Sequence, residues 1–399
     1  MSRAIMIILD GLGVGGAPDA AEYGDAGSDT LGNMAKHVGG VNTPHLGLLG
    51  LGNVSKIQGI PPVPEPSASY GRMEEVSAGK DSTTGHWELM GIVINEPFPT
   101  YPTGFPDEVI EEFTRLTGYG VLGNKPASGT AIMEELGDEH LHTGKLIVYT
   151  SADSVFQIAA HDQVCSLEEL YRVCGIARKM LVPPNQVSRV IARPFSGPSG
   201  GFFRTVYRHD YSLDPPSGLL LPTLQEHGVR VLAIGKINDL YSGCGIDEAL
   251  VSRDNAQGME ELGNLYLELT EGSADDQTLI LINLVDFDML WGHRNDPAGM
   301  KRGLEEFDRW LGDFLPRLIP GDLLLLTADH GNDPTTPSTD HSREHVPILA
   351  YLAGSGTGAN LGVRKGFMDV AATLAEYFEA PRLARGRSFL GDLKESDST

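Results

Sequence analysis

Three apolar runs, each ending in an acidic residue, constrain this chain more than anything else in it. The first, AIMIILD over residues 4–10, closes on Asp10 and is followed by glycines. A short unbroken apolar run of this kind fits a strand buried on both faces, as in a parallel sheet. The same pattern returns in TLILINLVDFD, which ends at Asp288, and in GDLLLLTADHG, which carries Asp329 and His330. Ligands of open parallel sheets bind beyond the carboxyl ends of the strands, so the three runs predict one shared site despite their separation in sequence. Between them, Leu304, Phe307, Leu311, Phe314 and Leu315 recur at helical spacing and predict a helix from Met300 to Leu318. The fold class is α/β.

At 399 residues the chain is too long for one compact core. Two Pro- and Gly-rich clusters, EPFPTYPTGFP at residues 96–106 and YSLDPPSG at residues 211–218, read as domain boundaries. They predict a core whose halves are residues 1–97 and 216–399, with a smaller α/β cap inserted over residues 98–215. The tail KESDST after Leu393 reads as frayed.

The formal net charge of -24 argues against nucleic acid or an anionic membrane as partner, because the surface as a whole repels phosphate. An anionic substrate would need a local reversal of that field by divalent cations or placed arginines. Cys165, Cys174 and Cys244 form no CxxC pair and are odd in number, which fits a reducing, cytoplasmic setting. The apolar run at the N-terminus is shorter than a signal-peptide core, and no stretch approaches the roughly 18 apolar residues of a membrane span.

The segment DHGNDPTTPSTDH, residues 329–341, taken with DFDMLWGH, residues 286–293, and Asp10, supplies three histidines and at least three aspartates. Imidazole and carboxylate suit borderline divalent metals such as manganese and zinc, and the set is large enough for two ions. Alone, Asp329-His330 is better explained as a solvated strand end with a capping aspartate. His341 and DFDMLWGH reverse that balance. Within DFD either Asp286 or Asp288 can be the ligand; the step from Asp288 to His293 suits a turn folding back on one ion and favours that pair. Asn332, Asp333 and Asp340 are candidates to orient the ligands.

In GKDSTTGHWELMG, residues 79–91, Ser82, Thr83 and Thr84 each offer a hydroxyl nucleophile beside a metal, and an N-cap at a helix start explains the same residues equally well. RVIARPF, residues 189–195, with Arg204, Arg208, His209 and Lys236, offers arginine forks for phosphate oxygens. Singly, each of these arginines is better read as part of a surface ion pair. Asp153 is open between a sugar-hydroxyl contact and a capping role.

In order and spacing, LDGLGVGGAPDA, GSDTLG, GKDSTTGHWELMG, GNKPASGT, YTSADSVFQIAAH, RVIARPF, RHDYSL, LVDFDMLWGH and TADHGNDPTTPSTDH resemble the phosphopentomutase family of the alkaline phosphatase superfamily over nearly the whole chain. The resemblance implies an alkaline-phosphatase-like core with a mixed, mostly parallel sheet and an inserted cap that keeps out water. It also implies two Mn²⁺, a pentose or glucose bisphosphate primer, and interconversion of ribose or deoxyribose 1-phosphate with the 5-phosphate. Carried over by motif, Asp10, Asp288, His293, Asp329, His330 and His341 are the implied metal ligands. Ser82, directly after the aspartate of GKD, is the implied phosphoryl carrier and a further metal contact. Many family members have threonine there, so serine is a departure that keeps the oxygen and loses the β-methyl. Asp153, Arg193, Arg208, His209 and Lys236 are implied substrate contacts. A phosphatase or phosphodiesterase of the same superfamily is the nearest rival, since it would share the metals and the nucleophile. A cofactor-independent phosphoglycerate mutase is a further relative, and a catalytically dead metal-binding module is the alternative of a different class.

Overall fold

A computed structural model describes residues 2–151, 153–272 and 277–394. The expectation of a frayed tail falls, from residue 395 on, outside the described residues. The chain divides into two compact units, residues 1–96 with 215–399, and residues 97–214.

The larger unit is built on an eight-stranded sheet. Its order is Glu248–Leu250, Arg230–Ile234, Thr278–Leu284, Arg3–Leu9, Leu323–Thr327, Val346–Leu352, Ser69–Met73 and Asn360–Arg364. Only Val346–Leu352 runs against the others, so the sheet is mixed and mostly parallel. The three apolar runs of the sequence lie side by side at its centre, each buried along its whole length. Burial on both faces explains why they lack the polar alternation of a half-solvated strand. Register does the rest: Leu9 pairs with Leu284, and Ile8 with Thr327. The residues just beyond, Asp10, Asp286 to Asp288 and Asp329-His330, therefore emerge at one edge of the sheet.

The predicted helix is displaced. It runs Pro297–Phe314, capped by Asp296, whose carboxylate accepts from Gly299 N at 2.8 Å. It stops before Leu318 because Pro316 has no N–H to offer, and Leu315–Arg317 tightens into a 3₁₀ turn. Leu304, Phe307, Leu311 and Phe314 are buried as their spacing requires, whereas Leu315 is only half-buried.

The smaller unit has its own sheet, ordered Val121–Pro126, Leu146–Thr150, Val155–His161, Arg189–Ser196 and Phe203–Arg204, with His209–Ser212 also pairing along Arg189–Ser196. Helices Asp107–Thr117 and Leu167–Met180 cover one face through Phe113, Val173, Phe156 and Val190. Helix Gly129–Thr143 covers the other through Ile132, Met133, Tyr149 and Phe195. Among the described residues no helix is long and apolar enough to cross a membrane.

Candidate active site

Helix Ser82–Leu89 begins at the edge of the large sheet where the three strand ends meet. Asp81 caps it, accepting from Thr84 N at 3.1 Å and from Thr84 Oγ1 at 2.6 Å, so the hydroxyl of Thr84 is engaged. Thr83 is buried, which leaves Ser82 facing the strand ends. Its Oγ lies 3.1 Å from Nε2 of His330. Such proximity requires Gly85 one turn on, because a Cβ there would sit 2.1 Å from the carbonyl oxygen of Asp329. The helix start expected at these residues is present, but its cap is Asp81 rather than a Ser or Thr, which leaves the hydroxyl of Ser82 compatible with a nucleophile role.

Asp10, Asp329 and His330 present ligand atoms within 4.8 Å of one another, as do Asp288, His330 and His341; all are buried. His293 adds to the second group, with Nε2 3.1 Å from Asp288 Oδ2. The three imidazoles are close, His330 and His341 at 4.1 Å and His293 and His341 at 4.8 Å between ring centres. Asp286 turns away instead and accepts from Asn255 N at 2.9 Å, anchoring the start of helix Asn255–Glu271. Asn332 donates to Asp288 Oδ1 at 2.7 Å, whereas Asp333 is engaged with Asp29, Asn33 and Thr335, and Asp340 pairs with Lys80.

Tautomers follow from the acceptors around each ring. Nδ1 of His330 faces the carbonyl of Gly331 at 3.1 Å, and Nδ1 of His293 faces that of Thr339 at 2.6 Å. A carbonyl only accepts, so both Nδ1 atoms carry a proton, and each Nε2 is the nitrogen turned inward and available to an ion. Oδ1 of Asp10 and Oδ2 of Asp329 are buried and lack a well-aligned hydrogen bond. Each nonetheless lies 3.3 to 3.4 Å from Nε2 of His330, an ion-pair distance; burial lowers that imidazole, but Asp329 and Asp10 outweigh it and raise it well above its ordinary value. Burial, followed by the charges of Asp329 and Asp288, raises the Asp10 carboxyl above its ordinary range. Burial alone would raise Asp288 too, but the facing His293 and His341 outweigh it and hold that carboxyl low. Three buried carboxylates converging with inward-turned imidazole nitrogens fit divalent cations, which would take the place of the imidazole protons and satisfy these oxygens.

Within the smaller unit, Arg189, Arg193, Arg208 and Asp210 share one face of the sheet. Arg208 grips Asp210 with two bonds of 2.6 Å, and Arg193 donates to Gln157 Oε1 at 3.1 Å. Burial, then the charge of Arg208, brings the Arg193 guanidinium down to about 10. Asp153 lies 3.5 Å from Arg189. His209 is not part of this group: it pairs in register with Ala192 and packs against Tyr171 and Tyr211 on the opposite face. Lys236 belongs to the larger unit, at the start of the short helix Ile237–Leu240, where its charge acts on Asp286.

Three residues that sequence reasoning did not single out support the site. His86 lies under Ser82 and Asp329, with Nδ1 3.1 Å from Asp329 Oδ2. Arg343 donates to the carbonyls of Ser77 and Gly79 ahead of Ser82. Glu344 accepts from Gly15 N and Thr30 N, closing the loop that follows Asp10. All three stand inside or beside quoted motifs, but only their contacts distinguish them from ordinary helix or loop positions.

Residues 2–382 match the family model of the metalloenzyme superfamily, the class that the strand-end cluster defines. Curated relatives named phosphopentomutase match end to end. That of Desulfitobacterium hafniense (strain DSM 10664 / DCB-2) is 53% identical over 98% of this chain and all of its own length. That of Dictyoglomus turgidum is 53% identical over 99% of each, and that of Anaeromyxobacter sp. (strain K) 55% identical over 98% of this chain and 99% of its own. The chain belongs to the phosphopentomutase family and is an isomerase. Among solved structures, a Leishmania mexicana phosphoglycerate mutase is 13% identical over 96% of each chain, with a TM-score of 0.48.

Proposed function

We propose that the chain interconverts ribose or deoxyribose 1-phosphate with the 5-phosphate through a phosphorylated Ser82. The observation that carries this reading is the 3.1 Å approach of Ser82 Oγ to His330 Nε2, at the junction of the two carboxylate–imidazole groups. Phospho-Ser82 transfers its phosphoryl group to the free hydroxyl of the pentose phosphate, whose proton passes to the released Ser82 oxygen, and a pentose 1,5-bisphosphate forms. The other phosphoryl group then moves to the Ser82 oxygen, whose proton passes to the sugar oxygen left behind, giving the isomeric monophosphate.

Asp10, Asp329 and His330 are the proposed ligands of one Mn²⁺, and Asp288, His293 and His341 those of the other, with Ser82 between the groups. Bound there, the ions would neutralise charge on the transferring phosphoryl group and stabilise serine as leaving group. Asn332 and the carbonyls of Gly331 and Thr339 hold the ligand side chains in orientation. Arg193, Arg208 and Asp153 in the smaller unit and Lys236 in the larger are proposed substrate contacts, each taken within its own unit. Free cysteines at 165, 174 and 244 suit a cytoplasmic enzyme.

The test supplies ribose 5-phosphate, Mn²⁺ and a catalytic amount of glucose 1,6-bisphosphate, and follows ribose 1-phosphate and free phosphate together. Ribose 1-phosphate should be the main product, and unphosphorylated enzyme should need the primer for its first turnover. Free phosphate as the main product would make the enzyme a hydrolase instead.

A further inference from the structure

His86 is fully buried, on the helix that begins at Ser82. Its Nδ1 lies 2.9 Å from the main-chain carbonyl oxygen of Ser82 and 3.1 Å from Oδ2 of Asp329. Both neighbours only accept, so Nδ1 must carry a proton, aimed chiefly at the Ser82 carbonyl with the carboxylate beside it. On the far side of the ring, Asn283 presents Nδ2 to Nε2 at 3.3 Å, which leaves Nδ1 as the proton-bearing nitrogen. Asn283 itself is buried near the end of the strand Thr278–Leu284, and Tyr241 OH holds the carbonyl of His86 at 2.6 Å. The ring can neither turn nor retreat.

We propose that His86 is a positioning residue: one N–H, fixed by Asn283, ties the backbone of the nucleophile Ser82 to the carboxylate of the metal ligand Asp329. The proposal rests on the reading of those two residues given above. Its physical content is a common anchor. Gly85 lets the helix touch the backbone of Asp329, and the ring of His86 then sets the spacing between the hydroxyl that carries phosphate and the carboxylate that holds the ion. Asp329 has its other oxygen, Oδ1, held by Gly11 N at 3.1 Å, so the loss of His86 would leave the carboxylate fixed at one end only.

The test compares His86→Asn, His86→Gln and His86→Leu. Asparagine can place its amide nitrogen where Nδ1 stands, whereas glutamine reaches the Nε2 position and leucine offers no donor. Calorimetric titration with Mn²⁺ alone should show affinity near wild type for His86→Asn and weaker by about 10- to 100-fold for His86→Gln and His86→Leu. Mass spectrometry after treatment with glucose 1,6-bisphosphate should show slower phosphorylation of Ser82 in the latter two. Equal Mn²⁺ affinity in all three would overturn the proposal, because a role in packing alone does not distinguish asparagine from glutamine. Should the variants fail to fold, ¹⁵N spectra of histidine-labelled wild type decide: a proton on Nδ1 of His86 supports the proposal, and one on Nε2 alone refutes it. Wild-type enzyme that binds no Mn²⁺ would instead remove Asp329 as a ligand, and this role with it.

Discussion

Nη1 of Arg343 donates to the carbonyl of Gly79 at 2.6 Å, although the two residues lie far apart in sequence. The same nitrogen serves the carbonyl of Ser77 at 2.8 Å and Oε2 of Glu75 at 2.7 Å, while Nε reaches Asp19. Arg343 stands two positions after His341, so one guanidinium couples a proposed ligand segment to the loop that presents Ser82. Arg343→Lys keeps the charge but cannot serve acceptors spread in a plane. Turnover should fall by roughly 10²-fold with Mn²⁺ affinity nearly unchanged, since a displaced nucleophile costs that much. Arg343→Met should also destabilise the fold, because Glu75 and the carbonyls of Ser77 and Gly79 would lose their buried donor. Steady-state kinetics and urea melts of the two variants check both statements.

Ser82→Ala should retain Mn²⁺ and lose turnover by more than about 10³-fold, with no phosphorylated species on intact mass measurement. Ser82→Thr keeps the oxygen at the same position and should retain the phosphorylated form. Turnover of Ser82→Ala near the wild-type rate would transfer the carrier role to another residue.

The sheet and the strand ends were legible because each apolar run is buried on both faces and parallel register carries its last residues to a common edge. Asp10, Asp288 and Asp329 announce themselves in this way. The helix boundary was less legible: the spacing of Leu304 to Leu315 carries the predicted helix on to Leu318, past Pro316, which withdraws its N–H, and the backbone follows the proline. His209 stands between Arg208 and Asp210, and strand alternation sends it to the other face, which becomes apparent only when RHDYSL is known to be extended. His86 and Arg343 were hidden for a different reason. Their importance lies in what their nitrogens reach across long sequence separations, and a helix face or a loop position does not reveal that.

Glu344 offers a pH signature. Burial, only partly offset by donors from Thr30, Ser342 and Gly15, pushes its carboxyl up to about 7, from an ordinary value of 4.5. A carboxyl raised in the folded state binds its proton more tightly there than in the unfolded chain. Its stabilising contribution is therefore full below pH 4.5 and is lost as pH rises toward 7. The loss amounts to about 3 kcal/mol. Oε1 faces the hydroxyls of Thr30 and Ser342, which can turn to accept, and Oε2 faces two N–H groups. Glu344→Gln can satisfy both sides and should remove this part of the pH dependence at little cost. Urea melts of both proteins between pH 4.5 and 7 measure the difference in slope, and parallel curves would show that Glu344 is ionised throughout.

His330 is the residue shared by both carboxylate–imidazole groups. Its Nε2 lies 3.4 Å from Asp10 Oδ1 and 3.3 Å from Asp329 Oδ2, and the ring packs 4.1 Å from that of His341. Two separable ion sites that meet at one residue predict an asymmetric response to substitution. Asp10→Asn should weaken one Mn²⁺ and leave the other, whose donors Asp288, His293 and His341 are untouched. Asp288→Asn should do the converse. His330→Ala should weaken both, because its imidazole nitrogen is common to the two groups. Equilibrium dialysis with metal analysis gives the stoichiometry directly: two ions in wild type, one in each aspartate variant, and less than one in His330→Ala. Loss of both ions from Asp288→Asn alone would mean that the groups act as a single site, and the division of ligands between two ions would have to be abandoned.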